Sequence, residues 1–224
     1  MITQMLKKIK TFYLMLREGR ICEVFHALTF PIVRTSVSRI DLIDVISYKS
    51  GFLKCSVHLK YKIASEEDMR LLFANWPDSE EEYERHYEVY YKFGFKRCFL
   101  FLNSENSEIA HFQFLITYDD LPIVRRVLPA KLYIFLKDCT CATQEWVYTF
   151  EKYRRQGISI LAMDGIIDYC KQNGITKIFS RRGVNNLASV QMANKMGYVQ
   201  IAKAYQVQFL NQQRHEGFHL IKRI

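Results

Sequence analysis

The sequence predicts an α+β fold in which strands and helices are mixed along the chain. The 224 residues are 49% hydrophobic and contain few Gly and Pro, which suits one core of ordinary size rather than a disordered chain. Segments of alternating polarity, typical of strands, are separated by segments whose apolar residues recur at helical spacing. No apolar run approaches the roughly 18 residues that a membrane span requires.

The N-terminal residues 1–50 predict a helical extension ahead of a main domain at 51–224. Apolar residues within 2–17 recur at helical spacing, with lysines mostly elsewhere on the helix. A basic amphipathic helix of this kind packs on its own domain or lies on an anionic membrane, and packing is the commoner case. A second apolar stretch is interrupted by Pro31, and a polar segment then marks the boundary.

The main domain opens with a strand and a capped helix. Alternation predicts a strand over 54–63, and Ser65 with Asp68 forms a capping box for the next helix. The further predicted elements, in order, are a helix (79–93), a hairpin of two strands (96–102 and 108–118), an extended piece (131–137), a strand (143–150), a helix ending at Asn173-Gly174, a strand (176–179), a helix (186–196) and two closing strands (198–209 and 217–221).

Positive charge is concentrated towards the C-terminus. The formal charge is +9, and the residues from Glu151 onward hold 12 basic and four acidic side chains, whereas residues 51–150 are net negative. A region this basic suits an anionic partner, and nucleic acid, a membrane surface and a phosphorylated small molecule are all candidates.

The cysteines and histidines predict neither disulfides nor a metal site. Cys139 and Cys141 lack C-x-x-C spacing, and His215 and His219 lie in a segment that predicts a strand. We therefore expect reduced thiols and a cytoplasmic location, with peripheral contact to the inner face of the membrane through residues 2–17 as an alternative.

The most informative segment is the strand, turn and helix around Gly157. A strand that ends in basic residues and a glycine just before a helix exposes peptide N–H groups without partners inside the helix. Such groups form an anion site, around which Lys152, Arg154 and Arg155 would place positive charge. Gly157 fits because a β-carbon would hold phosphate groups away. Alone, the pattern Arg-x-x-Gly-x-Ser is weak, because basic turns before helices are common.

Two segments together resemble the GNAT superfamily of acyl-CoA-dependent N-acyltransferases. Arg154-Arg155-Gln156-Gly157-Ile158-Ser159 is similar to the family's Gln/Arg-x-x-Gly-x-Gly/Ala loop. A later segment is similar to the family's Asn-x-x-Ala/Ser-x-x-x-Tyr-x-Lys-x-Gly-Phe. Its matching residues are Asn186, Ser189, Lys195, Gly197 and Tyr198. The resemblance is close over residues 143–198 and looser back to Lys54.

The resemblance implies αβα layers around a mixed, mostly antiparallel, twisted sheet whose central strand (143–150) splays from its parallel neighbour (176–179). It further implies that the pantetheine arm of acetyl-CoA, or of another acyl-CoA, bonds to the main chain in the splay. The pyrophosphate would then lie on the amides from Arg155 to Ile160. The residues that the resemblance assigns to this co-substrate are Val147, Tyr148, Thr149, Arg154, Arg155, Gln156, Gly157, Ile158, Ser159, Ile160, Asn186 and Lys195.

The chain departs from the family pattern at two positions. Ser159 replaces a glycine or alanine, and its small side chain still permits close approach of a phosphate. Ala193 stands where many members have a tyrosine that protonates the departing thiolate. A thiolate whose conjugate acid has a pKa of about 8 to 9 can leave without a dedicated acid, and Tyr198, Tyr205 or water are alternative proton donors.

Glu145 is the candidate general base that removes a proton from the attacking amine. Alternation along the strand places it on the same face as Val147 and Thr149, and similar enzymes use a carboxylate on this strand. A glutamate bonded only to solvent or to an arginine is the alternative. His111 is the second candidate, although a histidine between apolar neighbours is more often part of a core.

The sequence therefore predicts an N-acyltransferase that moves an acetyl or other short acyl group from acyl-CoA directly to a primary amine of a small molecule. No Cys/His or Ser/His pairing argues for a covalent route. An amino sugar is one acceptor, because many tyrosines suit stacking on a sugar ring. A non-catalytic polyanion- or membrane-surface-binding module on the same scaffold is the alternative. We expect no specific nucleic acid partner, and a homodimer stays open.

Overall fold

The computed structural model describes residues 33–50, 57–127, 134–209 and 213–221. The chain divides into two units. The larger contains Ser38–Lys203 and His219–Ile224, and the smaller contains Met1–Val37 and Ala204–Phe218. The predicted amphipathic helix over residues 2–17 lies outside the described residues.

A mixed sheet runs through the larger unit in the strand order β2-β3-β4-β5-β6-β1-β7. The strands are β1 (Val33–Asp44), β2 (Leu59–Ile63), β3 (Cys98–Asn103), β4 (Ile109–Thr117), β5 (Cys141–Thr149), β6 (Lys177–Gly183) and β7 (Val199–Phe209). β5 and β6 are parallel, while β2 with β3, β3 with β4, β4 with β5, and β6 with β1 are antiparallel. The predicted mixed, mostly antiparallel sheet is confirmed. In the smaller unit, the end of β7 pairs with β8 (Gln213–Leu220).

Helices cover both faces of this sheet. Those described are α1 (Glu66–Ala74), α2 (Glu80–Tyr87, continued by a π-helix over Glu88–Phe93), α3 (Leu121–Val127), α4 (Ile158–Gln172) and α5 (Leu187–Lys195). α4 packs Met163 and Ile166 with Phe101 and Leu115 in the core of one face, here called the back face. On the opposite face, here called the front face, Phe112 meets the rings of Trp76 and His86, which come from α2 and the segment before it. The αβα layering is confirmed.

Local sequence signals fix the helix ends. The Asp68 N–H donates to Ser65 Oγ at 3.1 Å and the Ser65 N–H donates to Asp68 Oδ2 at 3.0 Å, which confirms the predicted capping box. α4 is capped at its C-terminus by Asn173 and is followed by Gly174, whose φ of 70° suits a glycine after a helix. The start of α1 and the end of α4 are thus fixed by their own sequences.

Residues 33–44 differ from the predicted helical extension, because they form strand β1 paired with β6. The segment is rich in β-branched residues, which favours a strand. Ser38, Ile40 and Leu42 are alternate residues of this strand, and each pairs with a residue of β6. α3 was not predicted, since its Ile and Val residues favour a strand by composition. Within the described ranges, no helix combines the length and apolarity needed to cross a membrane.

Candidate active site

Strands β5 and β6 separate half-way along their length. Their parallel pairing ends at Gln144 and Ser180, although β5 continues to Thr149 and β6 to Gly183. At the point of separation, the Ser180 hydroxyl donates a hydrogen bond to the Gln144 carbonyl at 3.2 Å. The predicted splay of the central strands is therefore confirmed, and it leaves a gap between the strand ends.

A β-bulge in β5 explains the separation. Glu145 pairs with Phe114, and Tyr148 pairs with Phe112, so three steps along β5 match two along β4. Trp146, inside the bulge, has a φ of 47°, in the left-handed region that few residues other than glycine adopt. A bulge bends its strand and increases the local twist, which turns the end of β5 away from β6.

The bulge also changes the face on which Glu145 lies. The two phenylalanines of β4 that pair with Glu145 and Tyr148 are two residues apart, so both side chains lie on the front face. Thr149 lies on the back face. The expectation that Glu145 shares a face with Val147 and Thr149 is wrong, because the bulge inserts one residue into the alternation.

Glu145 has the environment of a base that works near neutral pH. Its side chain is half-buried, and the Thr143 hydroxyl donates to Glu145 Oε1 at 3.2 Å. Burial raises the pKa of this carboxyl to about 7, and the charges of Arg181 and Arg182 oppose that rise. A carboxylate with this pKa can accept a proton from an ammonium group and release it again.

Open peptide N–H groups lie between β5 and α4. Arg155 and the N-cap residue Gly157 have φ values of 62° and 76°. Among the residues that the structure describes, none accepts a hydrogen bond from the N–H groups of Arg155, Gly157, Ile158 or Ser159. The N–H of Ile160 donates to the Gly157 carbonyl at 3.0 Å, so the open donors end at Ser159, one residue earlier than predicted. Open N–H groups at the start of a fifteen-residue helix are an arrangement that favours an anion.

The basic side chains around this loop have different roles. Arg154 Nε donates to the Thr149 carbonyl at 3.0 Å, and its NH2 group donates to the Tyr148 hydroxyl at 3.2 Å. Lys152 Nζ donates to Glu108 Oε2 at 2.5 Å. Arg155 is exposed and forms no ion pair with any described residue. Of the three predicted cations, only Arg155 therefore has a guanidinium free for a phosphate, whereas Arg154 fixes the loop to the end of β5.

The main chain of β5 presents one open edge to the gap. The Phe150 N–H donates to the Ala110 carbonyl at 3.2 Å, so in the antiparallel ladder the main chain of Tyr148 faces β4 and that of Thr149 faces away from it. The predicted main-chain contact of Tyr148 with a ligand in the gap does not fit this geometry. Val147 and Thr149 remain on the open edge, with the Thr149 carbonyl already held by Arg154.

Asp78 connects Tyr148, whose ring packs against Trp76 and Phe112 on the front face, to the loop that precedes α4. Its Oδ2 accepts from the Tyr148 hydroxyl at 2.6 Å and from the Glu151 N–H at 3.2 Å, and Arg154 NH2 lies 3.8 Å away. Asp78 is largely buried. Sequence reasoning missed this residue, whose only signal was an acid directly after Trp76 and Pro77.

Two hydroxyl groups connect the back face to the loop. Thr149 Oγ1 lies 3.0 Å from Ser159 Oγ, and His111 Nδ1 lies 2.8 Å from Thr149 Oγ1. His111 is fully buried, and burial lowers its pKa to about 4, so the ring is neutral near pH 7. His111 lies on the opposite face from Glu145 and acts as a core residue that orients Thr149, which is the alternative that the sequence favoured.

The structure separates the two predicted residues of α5. Asn186 caps α5, accepting from the Ser189 N–H at 3.1 Å, and lies after β6 at the end of the sheet where the strands part. Lys195, at the other end of α5, lines a cavity with Leu42 and Asp44 of β1. Asp44 is in register with the first residue of β6, so Lys195 lies towards the opposite end of the sheet from Gly157.

Ala193 is fully buried in the back-face core. The hydroxyl of Tyr198 donates to Gln144 Oε1 at 2.8 Å, and burial raises the pKa of this phenol to about 12. Tyr205 belongs to the smaller unit.

In the described residues, no three His, Cys, Asp or Glu side chains come together as a metal site would require.

Comparison with known proteins gives a family and a fold. The model of the Acetyltransferase (GNAT) family matches residues 63–198, which is more than half of the chain. The chain belongs to the GNAT family. Members of this family are CoA-dependent acetyltransferases. A search of curated proteins gives no match.

Solved structures of low identity share the GNAT fold. A Drosophila protein is 11% identical with a TM-score of 0.51, covering 87% of this chain and 58% of its own. A GCN5-related glucosamine N-acetyltransferase region of a fungal multi-domain β-N-acetylglucosaminidase is 16% identical with a TM-score of 0.58. This match covers 83% of this chain and 22% of the fungal one. A GCN5-related N-acetyltransferase from Sphaerobacter thermophilus is 9% identical with a TM-score of 0.55, covering 87% and 56%. The chain thus spans less than two thirds of each of these three structures.

Proposed function

We propose that this GNAT protein transfers an acetyl or other short acyl group from acyl-CoA directly to a primary amine of a small molecule. The observation that carries the proposal is the set of N–H groups of Arg155, Gly157, Ile158 and Ser159, which have no acceptor among the described residues and lie beside the gap between β5 and β6. A diphosphate needs several donors that point at one place, and the start of α4 adds the positive end of a helix dipole.

The residues of the chain then have distinct roles in binding. The N–H groups of Arg155, Gly157, Ile158 and Ser159 hold the diphosphate, and the Arg155 guanidinium adds charge. The open edge of β5 at Val147 and Thr149 bonds the pantetheine arm along the gap, as an added strand would. Asn186 lies at the same end of the sheet and is close to this arm. Lys195 is left out, because it lines a cavity at the other end.

Glu145 supplies the base. Its carboxylate accepts a proton from the ammonium form of the acceptor, and the neutral amine nitrogen bonds to the thioester carbonyl carbon. The carbon–sulfur bond breaks and CoA leaves as a thiolate. The second proton, which the nitrogen loses as the amide forms, passes through water to the thiolate sulfur, and protonated Glu145 returns its proton to solvent. No dedicated acid is needed for a thiolate of this basicity, which is consistent with Ala193 in place of the family's tyrosine.

An amino sugar is the acceptor that we propose for test, because exposed tyrosine surface on α2 suits stacking on a sugar ring. Tyr83, Tyr87 and Tyr91 pack around Phe73. Tyr148 is buried against Trp76. These rings mostly form a core, and Tyr87 is one that keeps an exposed surface. The alternative of a non-catalytic binding module is not favoured, since no observation requires it.

The test is acyl transfer measured as release of free thiol from acetyl-CoA with a panel of primary amines. We expect thiol release that depends on an amine and saturates with acetyl-CoA. Amino sugars, amino acids and polyamines form the panel, with the corresponding N-acetylated amines as controls that cannot react. If acetyl-CoA does not bind, or if binding of polyanions falls steeply with salt and no thiol is released, the proposal is wrong.

A further inference from the structure

Arg181 lies across the gap from Glu145. The last two parallel pairs are Thr143 with Phe179 and Gln144 with Ser180, so Glu145 and Arg181 are the next residues on either side of the separation. Since side chains alternate along both strands, Glu145 and Arg181 lie on the front face with Thr143 and Phe179. The predicted base and a guanidinium thus flank the same opening.

The Arg181 guanidinium is available to a ligand. The side chain is half-buried and forms no hydrogen bond or ion pair with any residue that the structure describes. Its charge is near enough to lower the pKa of Glu145, yet no ion pair within 4.0 Å joins the two. Half-burial removes part of the hydration of this cation, so a partner that restores hydrogen bonds to it is favoured.

The two other arginines near Glu145, Arg182 and Arg85, already have acidic partners. Arg182 donates to Asp41 Oδ2 at 2.8 Å, and its guanidinium carbon lies 4.4 Å from the centre of the Tyr198 ring on the back face. Arg85 of α2 is mostly exposed and lies 3.8 Å from Glu82. Among these arginines, Arg181 is therefore the one that has no ion-pair partner within 4.0 Å among the described residues.

This charge affects which amines can approach Glu145. A primary amine arrives mostly as an ammonium ion, and a simple ammonium ion is repelled by Arg181 in a partly desolvated opening. An amine that also carries a carboxylate or phosphate places its anion on Arg181 while its nitrogen faces Glu145. A guanidinium binds such groups through two parallel hydrogen bonds, which fixes orientation as well as affinity.

We propose that Arg181 selects an acceptor that carries an anionic group close to its primary amine, either a carboxylate or a phosphate. The inference rests on the proposed acyl transfer and names the chemical class of the acceptor. Arg181 is a specificity residue that contacts the acceptor, and Glu145 receives the proton from the amine that Arg181 has oriented.

The experiment compares matched pairs of amines that differ only in the anionic group. One pair is glycine and glycinamide, which tests a carboxylate, and the other is glucosamine 6-phosphate and glucosamine, which tests a phosphate. We expect the anionic member of at least one pair to have a kcat/KM about tenfold or more above its neutral partner, because a hydrogen-bonded charge pair contributes on this scale. The pair that shows the preference identifies the anion.

The variant Arg181→Gln should abolish that preference. We expect kcat/KM to fall about tenfold for the anionic amine and by less than about threefold for the neutral one, with the KM for acetyl-CoA unchanged. Arg181→Lys should keep part of the preference, since it keeps the charge but loses the paired geometry. Lys171→Gln, which removes one exposed charge at the far end of α4, should change neither rate.

Several results would overturn the assignment of Arg181. These are equal rates for both members of each pair, acylation of neutral amines alone, an equal loss for both members in Arg181→Gln, or a rise only in the KM for acetyl-CoA. Acetyl-CoA binding without acylation of any anionic amine in the panel also counts against it. If acetyl-CoA itself does not bind, the proposed acyl transfer fails as well, which distinguishes the two failures.

Discussion

Glu145 is the residue whose chemistry is easiest to measure. Its pKa is raised to about 7 by burial, and a general base must be deprotonated to work. We therefore expect kcat/KM to rise with pH up to about 7 and to level off above it. Glu145→Gln should lower kcat by roughly a hundredfold or more and abolish this rise, with unchanged affinity for acetyl-CoA.

The matched control for Glu145 is Glu67→Gln. Glu67 is an exposed acid in the first turn of α1, so its loss should leave the pH profile unchanged. A Glu145→Gln variant that keeps both its turnover and the rise below pH 7 would show that another group is the base. The ionisation of the amine substrate occurs at higher pH and affects the wild type and Glu145→Gln equally.

Residue identities were predictable from the sequence more readily than residue orientations. Gly157 and the open donors beside it follow from a motif, because a turn before a helix always leaves such groups. The front-face position of Glu145 was not predictable, because one inserted residue at Trp146 reverses the alternation. The hydrogen bonds that Arg154 donates to the Thr149 carbonyl and the Tyr148 hydroxyl are tertiary contacts, which the spacing of residues in the sequence does not predict.

At the scale of elements, α1 is fixed by its capping box. Ser65→Ala removes the side-chain acceptor of the Asp68 N–H, so we expect the free energy of unfolding to fall by about 1 kcal/mol. Urea unfolding measures this as a lower midpoint with an unchanged slope. Ser79→Ala is the matched control, because Ser79 precedes α2 but makes no capping bond with its side chain. An equal fall in the free energy of unfolding in both variants would show that the capping box adds no stability.

Elements with a start or stop signal were the ones that the sequence predicted well. α4 has Gly157 before it and Gly174 after it, and both lie in the left-handed region, which was expected for Gly174. α3 has no such signal, and its Ile and Val content favours a strand. β1 was assigned to a helical extension, since the antiparallel partner that makes it a strand lies more than 130 residues away in β6.

At the scale of the whole molecule, buried histidines make stability depend on pH. Burial of His86 against Trp76 and Phe112 lowers its pKa from 6.5 to about 4. The unfolded chain then binds the proton more readily, so this contribution to stability is complete above pH 6.5 and is lost as the pH falls towards 4. At pH 5 the loss from His86 amounts to about 2 kcal/mol.

The variant His86→Gln should reduce the change in unfolding free energy between pH 7 and pH 5 by that amount. The comparison with wild type cancels the opposite contribution of Glu145, whose raised pKa favours the folded state at low pH. His58→Gln, in which an exposed side chain is replaced, is the control and should leave the pH dependence unchanged. An identical pH dependence in wild type and His86→Gln would contradict the neutral, buried state of this ring.

Calorimetric titration with acetyl-CoA tests the central claim most directly, using the wild type, Gly157→Asp and Gly174→Asp. Gly157 and Gly174 flank α4 and have similar φ values of 76° and 70°, so both variants carry similar backbone strain, but only Gly157 adjoins the open N–H groups. We expect saturable binding by the wild type and by Gly174→Asp, and none by a folded Gly157→Asp protein. Wild-type affinity in Gly157→Asp, or no binding by the wild type, would contradict a diphosphate site at the start of this helix.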